Sequence, residues 1–256
     1  MGIKVLSLFD GISCGMLALQ RAGIEVDTYY ASEIDEYALK ISQHHFPEII
    51  QLGNVEEWQN WNIPWGEIDL LLGGSPCQGF SKVGLELNFN DPRSKLVFEF
   101  ADILDHIKQY NPHVLFLLEN VKMREEWADI ISQLVGETYE VYNSALVSAQ
   151  NRVRYYWFNW ESATVQDRKI CLKDIIPDAA RNKARTVRVK GDGVKWGDKH
   201  EWDRANPDRK YTMEELEMLQ TLPIKYTDVG GGHGRRRKAI GNCWTVDMIV
   251  EILKMI

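Results

Sequence analysis

The sequence predicts an α/β fold, a mostly parallel sheet with an antiparallel hairpin at one edge. Short β-rich apolar runs alternate with longer stretches of helical period through the first 160 residues, the pattern of successive βα units. The last two of those runs have no helical stretch between them, so they pair antiparallel. With 256 residues, 45% of them hydrophobic and 26% charged, the chain is long enough for one sizeable core.

Taken in order, strands are expected at Val5–Phe9, Val26–Ser32, Ile68–Leu72 and Val114–Leu118. Helices are expected around Gly15–Ala22, Glu36–His44, Leu96–Gln109 and Glu125–Leu134. Tyr139–Val147 and Tyr155–Trp160 form the edge hairpin. From Glu161 to Pro207 the periodicity fades and charges accumulate, which reads as an inserted segment rather than more sheet. Regular structure returns at Thr212, an N-cap with Glu215 at capping-box spacing. Leu216 and Leu219 face inward, and Pro223 closes that helix. Val246, Ile249, Val250 and Leu253 form the apolar stripe of a final helix that packs back on the sheet. The expected division is a main body over 1–160, a small segment over 161–207, and a return over 208–256 that completes the body.

Net charge is −7, which by itself disfavours a polyanionic partner. The distribution is uneven, however. Basic residues outnumber acidic ones between Arg181 and Lys210, and Arg235, Arg236, Arg237 and Lys238 follow a glycine run at 230–232. An acidic body with a basic C-terminal third suits an enzyme that meets a polyanion on one face. On charge alone, solvated side chains explain it equally well. Cys14, Cys77, Cys171 and Cys243 show no paired spacing, which argues against a disulfide framework and a zinc knuckle. No apolar run approaches membrane-spanning length, and Met1–Lys4 leads straight into a strand rather than a signal peptide. A reduced, cytoplasmic protein is expected.

Ligands of open parallel sheets bind beyond the carboxyl ends of the strands, and the unusual polar groups fall there. Asp10-Gly11 follows the first strand and Glu33 the second. Gly73-Gly74-Ser75-Pro76-Cys77 follows the third, and Glu119-Asn120 the fourth. A carboxylate, a thiol and a glycine-rich turn therefore share one cleft. The first turn is not the G-x-G-x-x-G dinucleotide fingerprint, but Glu33 suits the ribose hydroxyls of an adenosine ligand. As a bare pattern, a structural turn and a surface glutamate fit as well. A free cysteine is usually an inert filler, yet Cys77 lies in a turn, ahead of a glycine- and asparagine-rich loop running to Ser94. Arg152 and Arg154 alternate on the hairpin, so both guanidinium groups share a face. There they repel unless an anion lies between them or water solvates both.

With these motifs in order, the chain resembles the DNA cytosine C5-methyltransferase family. Phe9-Asp10-Gly11 through Gly15 is similar to its donor-binding turn, and Gly74 through Ser81 (Gly-Ser-Pro-Cys-Gln-Gly-Phe-Ser) to its nucleophile loop. Glu119-Asn120-Val121 is similar to its Glu-Asn-Val motif, Gln150 through Arg154 to its Gln-x-Arg-x-Arg motif, and Gly241 through Trp244 to its closing donor motif. The short insert, Thr227-Asp228-Val229 and Trp244 resemble the compact de novo branch. The Pro-Cys-Gln-Gly-Phe-Ser loop is more like the bacterial modification enzymes. The resemblance implies a Rossmann-like S-adenosylmethionine-dependent methyltransferase fold with a small target-recognition insert at 161–207.

It also implies S-adenosyl-L-methionine as donor, S-adenosyl-L-homocysteine as product and double-stranded DNA as substrate. The setting implied is prokaryotic or phage-encoded and nucleoid-associated, and a compact recognition segment makes a homodimer plausible. Cys77 would add to C6 of cytosine, Glu119 would contact N3 and the exocyclic amine, Arg154 would hold the nucleotide, and Arg152 would support it. Phe9, Asp10, Gly11, Ile12, Glu33, Ile34, Asn54, Leu96, Asn242 and Trp244 would contact the donor. Gln78, Ser81 and Arg235–Lys238 would contact DNA. Asn54 stands where many relatives carry Asp, so weaker donor binding is expected. A tRNA cytosine methyltransferase is the nearest alternative, but its Cys-Phe-Thr signature is missing. A silent DNA-binding relative would not need the full set of Cys77, Glu119, Arg152 and Arg154.

Overall fold

The computed structural model describes residues 2–75, 95–179, 181–189 and 211–256. Its order is β1 (Ile3–Leu8), α1 (Cys14–Ala22), β2 (Val26–Ser32), α2 (Glu36–His45), β3 (Ile50–Gln51), β4 (Leu70–Gly74), α3 (Lys95–Tyr110), β5 (Leu115–Val121), α4 (Glu125–Val135), β6 (Tyr139–Asn143), β7 (Val153–Phe158), α5 (Leu172–Ile175), α6 (Met213–Leu219), α7 (His233–Asn242) and α8 (Val246–Leu253). Among the described residues these strands form one sheet of seven, ordered β3-β2-β1-β4-β5-β7-β6. The pairings from β3 through β5 are parallel, and β7 runs antiparallel to both β5 and β6.

The strand side chains alternate between two cores, as a period of two demands. Val5, Leu70, Leu72, Leu117, Tyr156 and Phe158 point into one core, which α1 and α8 cover. Leu6, Leu8, Leu71, Phe116, Leu118, Tyr155 and Trp157 point into the other, beneath α3 and α4. Burial on both faces explains why these strands read as nearly continuous apolar runs. From β1 the chain crosses to β2 on one side and later returns to β4 on the other. The β1/β4 junction is therefore the switch point where a ligand crevice opens.

Three local departures from the sequence expectation have physical causes. Phe9 is not the last strand residue. The strand ends at Leu8, and Phe9, Gly11 and Ser13 all take left-handed backbone conformations, with φ of 56°, 62° and 57°. For Phe9 and Ser13 that is strain, of the kind that collects at ligand-binding turns. The strand expected to reach Val147 stops at Asn143, whose side chain accepts from the Ala145 amide and starts a 3-10 turn over Ser144–Leu146. The glycine-rich, basic stretch after residue 232 carried no helical expectation, yet α7 forms there. The capping box at Thr212 and Glu215 is present. So is the buried stripe of α8.

The described part of 161–189 packs on the body. Leu172, Ile176, Ala179, Ala184 and Val187 form a third core with Met213, Leu216, Leu219 and Ile240. Lys183 fastens it, its ammonium donating to the carbonyls of Ala145, Ser148 and Ile170 at 2.5–2.9 Å. Gln150 adds a second tie, donating to Leu219 O and accepting from the Val187 amide.

Candidate active site

At the donor end, the β1–α1 turn is tied to β2 by the Asp10 amide, which donates to Ser32 O at 3.0 Å. Glu33 sits just past β2 and is held by the backbone. The Gly11 amide donates to Oε2 at 2.8 Å, and the Ile34 and Asp35 amides donate to Oε1 at 2.8 and 2.7 Å. A carboxylate fixed this way is aimed before any ligand arrives, and Oε2 keeps an open lone pair for a hydroxyl. Ile34 beside it is 70% exposed, an apolar face next to a diol acceptor. The residues present fit an adenosine group. Phe9 and Leu96 lie partly buried against the α3-side core, Ile12 is fully buried, and Asn242 is exposed at the end of α7.

Two of the expected donor contacts have other duties. The Asp10 carboxylate accepts from the Tyr29 hydroxyl at 2.7 Å and from the Ser13 hydroxyl, so its side chain holds the turn. Burial pushes its pKa above the usual carboxylate range. The Asn54 side-chain oxygen accepts from the Glu56 amide at 3.2 Å, an N-cap for the 3-10 turn at Val55–Asn60.

At the substrate end, β4 and β5 are in register at Gly74 and Glu119. Glu119 is buried and gripped on both oxygens. Arg154 Nε lies 2.8 Å from Oε1, and the Trp244 indole N–H donates to Oε2 at 3.1 Å. Gly74 makes the second contact possible, since a Cβ there would lie 2.7 Å from Trp244 Nε1. Asn120 donates to Ser75 Oγ at 2.8 Å, pinning the chain where it leaves β4. Pro76 to Ser94, and with them Cys77, Gln78 and Ser81, lie outside the described residues.

Arg152 is buried and braces the site from behind, donating to Val187 O at 3.1 Å and Cys243 O at 3.0 Å. Burial, then the like charge of Arg154, pull its pKa down to about 10, so it remains cationic at neutral pH. Of the two arginines, Arg154 meets an anion, Glu119, while Arg152 is held by carbonyls. Gln220 was not legible in the sequence. Fully buried, it donates to Ile240 O and Cys243 O and accepts from Gln150 and Thr245. No motif marks it, because its partners lie on two segments far apart in sequence, Gln150 and the stretch from Ile240 to Thr245.

The basic run on α7 corrects one expectation. Arg236 is 5% exposed, and its guanidinium meets the fully buried Glu217 at 3.2 Å while Nε donates to Thr227 Oγ1 at 3.1 Å. It neutralises a buried carboxylate and is not a phosphate contact. Arg237 is also buried, at 7% exposure, which keeps it from the surface where a phosphate would be met. Arg235 is exposed, and Lys238 is 55% exposed in an ion pair with Asp35.

Residues 3–174 match the model of the family described as C-5 cytosine-specific DNA methylase. The orphan methyltransferase M.Rho11sI of Bacillus phage rho11s is 30% identical over 210 residues, 76% of this chain and 41% of the phage protein. The type II methyltransferase M1.ScrFI of Lactococcus lactis subsp. cremoris is 34% identical over 176 residues, 64% of this chain and 43% of its own length. The chain thus spans less than half the length of these two relatives. Among solved structures, the Entamoeba histolytica methyltransferase EhMeth superposes with a TM-score of 0.72 at 15% identity, covering 100% of this chain and 98% of that one. The Dnmt2 methyltransferase of S. pombe gives 0.68 at 14% identity over 99% of this chain and 98% of that one, a likeness of fold. Sequence motifs, sheet order and the family match agree, and the chain belongs to the C-5 cytosine-specific DNA methylase family.

Proposed function

We propose that this protein transfers a methyl group from S-adenosylmethionine to C5 of cytosine in DNA, with Cys77 as nucleophile. The observation that carries this reading is Glu119, a buried carboxylate held between Arg154 and Trp244 where β5 ends. Ser75, two residues before Cys77 in the sequence, is anchored by Asn120.

Cytosine C5 is a weak nucleophile, so the ring is first activated by adding a thiolate to C6. The attacking species is the thiolate form of Cys77, since the thiol itself is a weak nucleophile. As the Sγ–C6 bond forms, electron density builds at N3, and Glu119 in its acid form would donate its proton there, so that the enamine forms uncharged. The donor supplies an electrophilic methyl group on a sulfonium. Removal of the C5 proton by a base then breaks the Sγ–C6 bond and regenerates Cys77. The base is hidden inside a duplex, so its nucleotide is flipped out, at a cost of a few kcal/mol. Glu33 and Ile34 are assigned to the donor's adenosine. Segment 161–207, Arg235 and Lys238 are assigned to DNA, the two cations to phosphates.

Incubating the protein with donor and a duplex containing 5-fluorocytosine tests the reading. A covalent complex that Cys77→Ala cannot form is expected, together with C5 methylation by bisulfite sequencing of DNA from expressing cells. A wild-type protein that is never trapped overturns it.

A further inference from the structure

Trp244 reaches from the donor turn to the catalytic carboxylate. At one edge its indole N–H donates to Glu119 Oε2 at 3.1 Å. At the other, Cζ3 lies 3.5 Å from where a Cβ on Gly15 would stand, in the first turn of the helix that follows the donor-binding turn. The main chain on both sides of this ring is pinned. The Cys243 carbonyl accepts from Arg152 at 3.0 Å and Gln220 at 3.3 Å, and the Thr245 hydroxyl donates to Gln220 Oε1 at 2.9 Å. An indole nitrogen only donates, so Trp244 can grip the carboxylate but offers nothing to another donor. With Oε1 on Arg154 and Oε2 on Trp244, these two side chains together set the plane of the Glu119 carboxylate.

We propose that Trp244 is a positioning residue that couples donor occupancy to the grip of Glu119 on the flipped cytosine. The proposal rests on the methyl-transfer reading above. Restriction of the indole at its donor-side edge is transmitted through the ring to Oε2, which narrows the directions in which Glu119 can meet N3 and the exocyclic amine. Linkage makes the effect reciprocal, so cytosine bound at Glu119 tightens donor binding by the same factor.

The test is a thermodynamic box on the wild type and Trp244→Phe, which keeps a ring and removes the N–H. Duplex affinity is measured by fluorescence anisotropy with and without S-adenosylhomocysteine, on the site found by bisulfite sequencing. Affinity for S-adenosylhomocysteine alone is measured by calorimetry. The wild type should bind the duplex about tenfold tighter in the presence of that product, a typical coupling. In Trp244→Phe the ratio should fall to within about twofold of unity, while affinity for the product alone changes less than about threefold. Methylation kcat should fall about tenfold with little change in donor KM.

Gly74→Ala supplies a second route to the same outcome, because the added Cβ would press on Nε1 from 2.7 Å. It should lose the coupling while keeping the indole. A ratio in both variants equal to that of the wild type overturns the proposal, as does a loss of product affinity as large as the loss of coupling. A wild type that is trapped by 5-fluorocytosine yet shows a ratio of one overturns the coupling alone. A wild type that is never trapped overturns the methyl-transfer reading and the coupling with it.

Discussion

The two ends of the cleft are built in different ways. At the donor end, Glu33 is held by amides of its immediate neighbours and of Gly11, 22 residues away, and Asp10 by Ser13 and Tyr29, the latter 19 residues away. At the substrate end, Asn120 reaches 45 residues to Ser75, Arg152 reaches 91 to Cys243, and Trp244 reaches 125 to Glu119. The first arrangement follows once β1 and β2 pair. The second exists only after α6, α7 and α8 have closed against the hairpin. The Glu33 and Asp10 contacts are thus a property of one βαβ unit, and the grip on Glu119 a property of the completed domain.

The comparison would break first at Arg236. That residue pairs with buried Glu217, and Thr227 between them accepts the Tyr37 hydroxyl of α2 through its carbonyl. Arg236→Met should cost about 3–5 kcal/mol of stability by leaving a buried carboxylate unpaired, read from urea unfolding. If the donor end is self-contained, the folded fraction should still bind S-adenosylhomocysteine within about twofold of the wild type. A large loss of affinity would show the donor end to depend on the C-terminal helices after all.

Glu119→Gln tests the other half. It should lower the methylation rate by about a hundredfold or more and leave product affinity unchanged in calorimetry. Glu33→Gln should do the reverse. Affinity should drop about tenfold or more as a charged acceptor of three amides is lost, while kcat at saturating donor holds. If both variants reduced both quantities equally, the two ends would not be separable. The smallest effect is expected at Asn54→Asp, where Asp caps the turn as well as Asn does but meets Glu56 nearby. Donor affinity should rise only about threefold, a balance of one charge gained for the ligand against repulsion from a neighbour.

Much of this was legible in the sequence because it depends on local order. The period-two runs predicted the strands, and Thr212 with Glu215 predicted the start of a helix. Glu33, Gly74 and Glu119 were expected at strand ends along one edge of the sheet, and they lie just past β2, at the end of β4 and within the last residues of β5. Charge was a poorer guide. Arg235 through Lys238 read as one basic run, but a helical turn carries Arg236 and Arg237 inward and leaves Arg235 and Lys238 outside. The sequence records that four cations are adjacent and not which of them meets Glu217.

By itself, then, the sequence determined the α/β architecture, the edges at which polar groups gather and the chemical types present there, because backbone periodicity and turn chemistry act over a few residues. Only the tertiary structure decided that Trp244 and Arg154 share one carboxylate, that Gln220 and Arg152 share one carbonyl, and that Arg236 is spent on a buried acid. Those pairings join segments far apart along the chain, and their geometry is set by how the helices pack around the finished sheet.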